Sequence, residues 1–198
     1  MQSISWVRRR LQRCAARFAL DRRGLAAVEF AIILPFMLVM FFGTVEFSSG
    51  VAVDRKVTLM ARTLSDLTSQ SISVSDTDLT NFFNASTGIM TPYSTTPTKS
   101  TISMLYIDPS TLAARVQWSQ GAAPRGVGTT VAIPSALQVG DTYLIFSEVS
   151  YKYVPTLGYV MAKTGINLSE VSYTRPRQAA CVIYPTPPAG AVSNCPKL

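Results

Sequence analysis

Residues 24–47 read GLAAVEFAIILPFMLVMFFGTVEF. From Phe30 to Val45 this stretch holds no charge, and Thr44 is its only polar side chain. Taken from Leu25 to Phe47 it is long enough to cross a hydrocarbon core of about 30 Å at about 1.5 Å per residue. The flanks orient it. Arg8, Arg9, Arg10, Arg13, Arg17, Arg22 and Arg23 precede it against a single acid, Asp21, while Glu46 and Asp54 follow. Positive flanks stay on the cytoplasmic side, which predicts a cytoplasmic leader over 1–24, a transmembrane helix over 25–47 and an extracytoplasmic remainder.

That leader accounts for most of the charge. The chain carries +7 in total, of which residues 1–24 supply +6. The body is nearly neutral, so no basic face is expected to meet nucleic acid. A charged share of 15% beside 47% hydrophobic residues also favours membrane content over a wholly soluble domain. Histidine is absent from the chain, which removes the commonest general base and metal ligand. With no Gly-rich phosphate loop and no nucleophile elbow in the sequence, no catalysis, cofactor, metal or small-molecule substrate is expected.

Two residues in the span call for a reason. Pro35 lacks the N–H for one helical bond and is expected to kink the helix there, which membrane helices tolerate. Glu29 places a carboxylate close to the cytoplasmic end of the span. Charged groups at mid-bilayer cost about 2.5–3.5 kcal/mol or more, and less near an interface. Glu29 either reaches the headgroups beside Arg22 and Arg23 or serves a function. A cleaved secretory signal is the competing account of the whole segment, with Ser48-Ser49-Gly50 as a cleavage site. The apolar run exceeds the usual length of such signals, about 7–15 residues.

Beyond the span, Val53, Val57, Met60, Leu64 and Leu67 recur at helical spacing, with Asp54, Arg55, Lys56, Arg62 and Asp66 off that stripe. The helix is therefore expected to continue to about Thr68, as an amphipathic extension over 48–70 that packs on the protein's own sheet or on a second helix. Residues 71–198 read as an extracytoplasmic domain. Ser69–Ser75 is a linker, and Asp76-Thr77-Asp78 caps a short helix to Asn84 that buries Leu79, Phe82 and Phe83. Residues 86–100 read as loop.

Strands follow. Thr101–Ile107 is β-prone, and Asp108–Thr111 is a turn. Leu112, Ala114, Val116 and Trp118 alternate with polar or small residues as one half-buried strand. Thr142–Val154, Ile166–Thr174 and Gln178–Tyr184 read as further strands. The fold class is α+β: a long N-terminal transmembrane helix that continues as an amphipathic helix and packs on a small antiparallel β-sheet. Cys181 and Cys195 form a disulfide outside the cytoplasm or remain as two thiols, while Cys14 stays reduced in the leader. Arg175 and Arg177 flank Pro176 as solvated edge charge or as a partner contact.

The combination Arg22-Arg23-Gly24, Ala27-Val28-Glu29-Phe30-Ala31, Leu34-Pro35, Gly43 and Glu46-Phe47 resembles the N-terminus of the TadE-like pseudopilins of tight-adherence (Flp-type) pilus systems. Glu148–Tyr151 with Pro155, and Tyr173–Arg177, resemble the distal part of such proteins more weakly. The resemblance implies cleavage after Gly24 by a prepilin peptidase in the bacterial inner membrane. Leu25 then becomes the first mature residue and Glu29 the fifth. It further implies that Glu29 and Phe30 serve recognition and assembly, with other pilins, pseudopilins and the pilus assembly machinery as partners. Cleavage would free an α-amine, with a reference pKa of about 7.7–8.0, for Glu29 to neutralise. A minor pilin or assembly factor suits the length better than a minimal filament subunit. The alternative is an uncleaved, signal-anchored envelope protein with a periplasmic ligand- or partner-binding β domain.

Overall fold

The computed structural model describes residues 24–155, 165–186, 188 and 194–198. The leader to residue 23, with Cys14 and its arginines, and residues 187 and 189–193 of the loop between the two C-terminal cysteines lie outside them. The chain divides into two units, residues 1–45 and 46–198. A single helix, α1 (Leu25–Ser69), supplies the described part of the first and the opening of the second.

In the first unit, every residue from 25 to 45 except Gly43 is exposed, including Phe30, Phe36, Met40 and Phe41. Apart from Glu29 and Thr44 this helix is apolar on every side, and no described residue covers it, which suits lipid and not water. Its 21 residues span about 31 Å at about 1.5 Å per residue, the thickness of a hydrocarbon core. Pro35 lies inside this helix, and Thr44 satisfies its hydroxyl on the Met40 carbonyl at 2.8 Å.

In the second unit α1 turns amphipathic. Val53, Val57, Met60 and Leu64 are fully buried, as their spacing predicts, and Leu67 is only half-buried. Val53, Val57 and Met60 pack on Val149, Tyr151 and Tyr153 of the protein's own sheet. Small polar residues follow where helix and sheet approach closely. Ser147 Oγ donates to the Ala61 carbonyl at 2.6 Å, and Ser65 Oγ bonds Ser172 and Thr174 hydroxyls at 3.0 Å each. Lys56 leaves the stripe to hold the chain on the carbonyls of Ile89 and Thr91.

The cap of α2 (Asp76–Thr87) is Ser75, one residue before the expected triplet. Ser75 Oγ accepts the Asp78 N–H, and the Asp78 carboxylate accepts the Ser75 N–H. This reciprocal pair is a capping box. The bonds from Ser75 hold the Asp78 carboxyl below its ordinary range. Leu79 is buried; Phe82 and Phe83 are partly so and pack on the same cluster. The expected loop over 86–100 contains a 3-10 turn, Gly88–Met90, whose Met90 is fully buried.

Five strands form an antiparallel sheet: β1 (Thr98–Ile107), β2 (Ala114–Gly121), β3 (Thr130–Val131), β4 (Thr142–Tyr153) and β5 (Ile166–Thr174), in the order β3-β2-β1-β4-β5. The fold is α+β. β1 lies at the centre and is buried from Thr101 through Ile107. One face carries Ile102, Met104, Tyr106 and Ile145 beneath α1 and α2. The other carries Leu105, Ile107, Leu144 and Phe146, covered by Val131, Ile133 and Leu137.

Three expectations about strands are corrected. Leu112 is not in a strand. It has φ 56, in a turn where the Asp108 carboxylate accepts the N–H groups of Ser110 and Thr111. Trp118 does not share a face with Ala114 and Val116. Leu105 pairs with Val116 and Met104 with Trp118, so Gln117 is one residue too many on β2. A bulge of this kind reverses the alternation beyond it, sending Ala114 and Val116 to one core and Trp118 to the other. Gln178–Tyr184 forms no ladder. Residues 177–181 bend, and only Ile183 makes a single parallel bridge, with Ser73. Cys181 and Val182 are nevertheless buried, because this segment serves as a wall of the core.

Candidate functional site

Gly24 immediately precedes the first residue of α1 and is exposed. A Cβ added there would meet nothing within 4 Å, and its φ lies outside the positive range that only glycine favours. Among the described residues, nothing in the fold therefore requires glycine at 24. What glycine supplies is an unhindered backbone for something that must approach it closely.

Leu25 and Glu29 stand four residues apart in α1. That spacing places their side chains on one face, with about 5–6 Å between Cβ atoms. An amine freed on Leu25 would start one helical turn from the Glu29 carboxylate, beside the unsatisfied N–H groups of a helix N-terminus. No described residue bonds to the Glu29 carboxylate. Phe30 and Pro35 lie further along, Phe30 fully in the open. The segment thus combines exposed apolar residues, one acid near its N-terminal end and a glycine whose backbone is open. Residues 24–64 match the family model for TadE-like proteins.

This segment is TadE-like. The match opens on Gly24 and closes on Leu64, the fourth buried position of the amphipathic stripe. It does not extend to the distal stretches, 148–155 and 173–177, and so lends no support to a resemblance there. No curated protein and no solved structure matches the chain. The distal residues have structural work instead. Glu148 takes a bidentate bond from Arg125 at 2.6 Å, Val149 and Tyr151 are core, and Tyr173 stacks on Phe146 with centroids 4.9 Å apart.

Arg175 and Arg177, adjacent in sequence to Pro176, part company. Arg175 is exposed. Arg177 is ion-paired to Asp66, and its N–H donates to the Ser69 carbonyl at 2.9 Å, closing the C-terminal end of α1. Asp76 and Asp78 are likewise spoken for. Asp78 completes the cap, and Asp76 accepts the Tyr184 hydroxyl at 2.5 Å.

Cys181 and Cys195 are joined, with Cα atoms 5.8 Å apart. The disulfide begins a strap. The Pro196 carbonyl accepts the Tyr143 hydroxyl at 2.9 Å, and Lys197 Nζ reaches Asp141 at 2.6 Å. The Leu198 N–H donates to Gln117 Oε1 at 3.1 Å. Bonds from Lys197 and then Tyr106 hold the Asp141 carboxyl below the usual range. Replacing Cys181 and Cys195 together with serine is expected to lower unfolding stability by about 3 kcal/mol, the chain-entropy value for a loop of this length. Urea unfolding of the two forms checks it, with residues 194–198 losing hydrogen-exchange protection first.

One buried acid was not singled out by sequence. Glu46, the first residue of the second unit, is 4% exposed. Its charge lies near Tyr153, whose hydroxyl burial pushes above its ordinary range. Its sequence signals were its place directly after the apolar run and, with Phe47, its part in the TadE-like resemblance.

Proposed function

We propose that the chain is a minor pilin or pseudopilin, cut by a prepilin peptidase after Gly24 and acting in assembly of a tight-adherence pilus. One observation carries the reading. The TadE-like match begins at a glycine that the protein's own fold does not require. In this reading α1 anchors the chain once in the bacterial inner membrane, with residues 1–24 cytoplasmic and the α+β domain periplasmic. Loss of the leader removes six net positive charges and pairs the new α-amine with Glu29. The protein works by assembly with other pilins and pseudopilins, not by catalysis.

The test is the mature N-terminus. Protein extracted from membranes of its own cells should begin at Leu25 by intact-mass and N-terminal peptide analysis. A chain that begins at Met1 is a signal-anchored envelope protein and removes this proposal. A chain that begins just after Ser48-Ser49-Gly50 is a secreted one and removes it equally.

A further inference from the structure

The two edges of the sheet are built differently. At the β2 edge, β3 covers Ala114 and Arg115. Val116 exchanges bonds with residues 128 and 129, and the bulge at Gln117 distorts the strand beyond it. Coverage and bulges are ways of closing an edge to further pairing. β5 has neither among the described residues. It is 9 residues long, its register with β4 is unbroken from Ile145↔Thr174 to Tyr153↔Ile166, and it contains no proline or lysine. No described strand pairs with its outer side. Unpaired N–H and C=O groups along a regular strand are a template for one more.

Two grooves flank this edge where it runs beside residues 46–69 of α1. Near the start of β5, Phe47, Val51, Tyr153, Ile166 and Leu168 line an apolar groove of about 190 Å³. Near its end, Arg62, Ser172, Thr174 and Arg177 line a polar one of about 390 Å³. Asp66, the one acid there, is taken by Arg177 and by the Gln70 amide. Arg62 has no ion pair among the described residues. The second groove is therefore basic. Leu168, Glu170 and Ser172 share the α1-facing row of β5, because alternate residues of a strand face one side; Glu170, opposite Val149 in the ladder, stands between the two grooves and lines neither.

We propose that the outer edge of β5 binds an extended segment of another protein, added antiparallel. It presents an acidic side chain opposite Ser172, beside Arg62, and a large apolar one opposite Leu168, in the groove by Phe47. Antiparallel addition continues the pattern of every pair in the sheet, and backbone bonds of this kind are slightly stronger than parallel ones. Direction then fixes order: the acid precedes the apolar residue by four positions. Ladder bonds supply affinity, and the two grooves read alternate side chains. This assignment stands on the α+β domain alone and does not depend on cleavage after Gly24.

The test uses the full chain in detergent micelles and two fluorescent ten-residue peptides of equal composition. One has aspartate four positions before leucine in a threonine and valine background; the other has the two exchanged. The acid-first peptide should bind about tenfold more tightly, and Arg62→Glu should weaken it by about tenfold while leaving the reversed peptide unchanged. Hydrogen exchange should slow in 166–174 on binding. Equal affinity of the two peptides, no binding of either, or protection elsewhere overturns the proposal. So does a peptide-free protein that self-associates with 166–174 already protected, since a second copy would then own the edge.

Discussion

Gly24→Val should leave the leader on the protein. Valine at this position meets none of the described residues, since nothing lies within 4 Å of a Cβ at 24, so membrane insertion and the unfolding midpoint of the α+β domain should be unchanged. A peptidase that grips the backbone on both sides of the 24–25 bond faces a branched side chain where it had none. A barrier raised by about 1.4 kcal/mol slows cleavage tenfold, and a β-branched clash should exceed that. Pulse-chase labelling with intact-mass readout should show the uncleaved chain persisting at least about ten times longer than in the wild type. Gly24→Ala, with a single methyl, should fall between the two. Glu29→Val divides the process, because Glu29 lies a full turn beyond the bond: cleavage should proceed, and incorporation with other pilins should stop. Cleavage of Gly24→Val at the wild-type rate would end the pseudopilin reading, whatever the fate of Glu29.

Trp118→Ala should cost about 4 kcal/mol of stability, within the range for large aromatic truncations in a core. Trp118 is 5% exposed and lies tilted on Tyr184, with ring centroids 5.5 Å apart. Its Nε1–H donates to the Val182 carbonyl at 2.7 Å. Removal opens a cavity beside Met104 and Ile145 and strands a buried carbonyl on a segment that has no ladder of its own. Domains commonly hold only about 5–15 kcal/mol in total, so the variant should unfold at markedly lower urea, with residues 181–184 exchanging fastest. Trp118→Phe keeps most of the packing and loses the donor; it should cost about 1–3 kcal/mol, the penalty for an unsatisfied buried group. If Trp118→Ala costs under about 1 kcal/mol, the 177–184 segment is held by something else.

Features legible in the sequence are those whose cause is local. A run of apolar residues between a basic flank and an acidic one identifies the span without any knowledge of its neighbours. The recurrence of Val53, Val57, Met60 and Leu64 identifies the buried face of α1, since a helix repeats its own geometry. The alternation in β4 is equally local: Tyr143, Ile145, Val149, Tyr151 and Tyr153 sit on alternate positions and line the face packed on the helices. Leu67 departs because Ser65, Thr68 and Ser69 are the residues small enough where the helix meets β5 and the segment that follows it.

The features that failed had remote causes. The sequence around Trp118 alternates cleanly, and nothing in it marks Gln117 as an extra residue; the bulge exists because two cores on opposite faces both need filling. Gln178–Tyr184 reads as a strand, yet only its Cys181 and Val182 are buried, and that burial comes from standing against Trp118 and Val74, not from pairing. The same holds for the candidate sites. Gly24, Leu25 and Glu29 fall within six residues and were visible as a pattern. Arg177 was one of two arginines beside a proline until Asp66, over a hundred residues away in sequence, took it.

The amino-acid sequence alone determined the apolar span, its charge asymmetry, the continuation of the helix and the residues around the Gly24–Leu25 bond, because each depends on neighbours within a few turns. Only the tertiary structure decided which way Trp118 faces, what the C-terminal strap ties down and which edge of the sheet stays open. Those outcomes depend on which distant surfaces meet, and pairing across the fold is not written in the periodicity of any one segment.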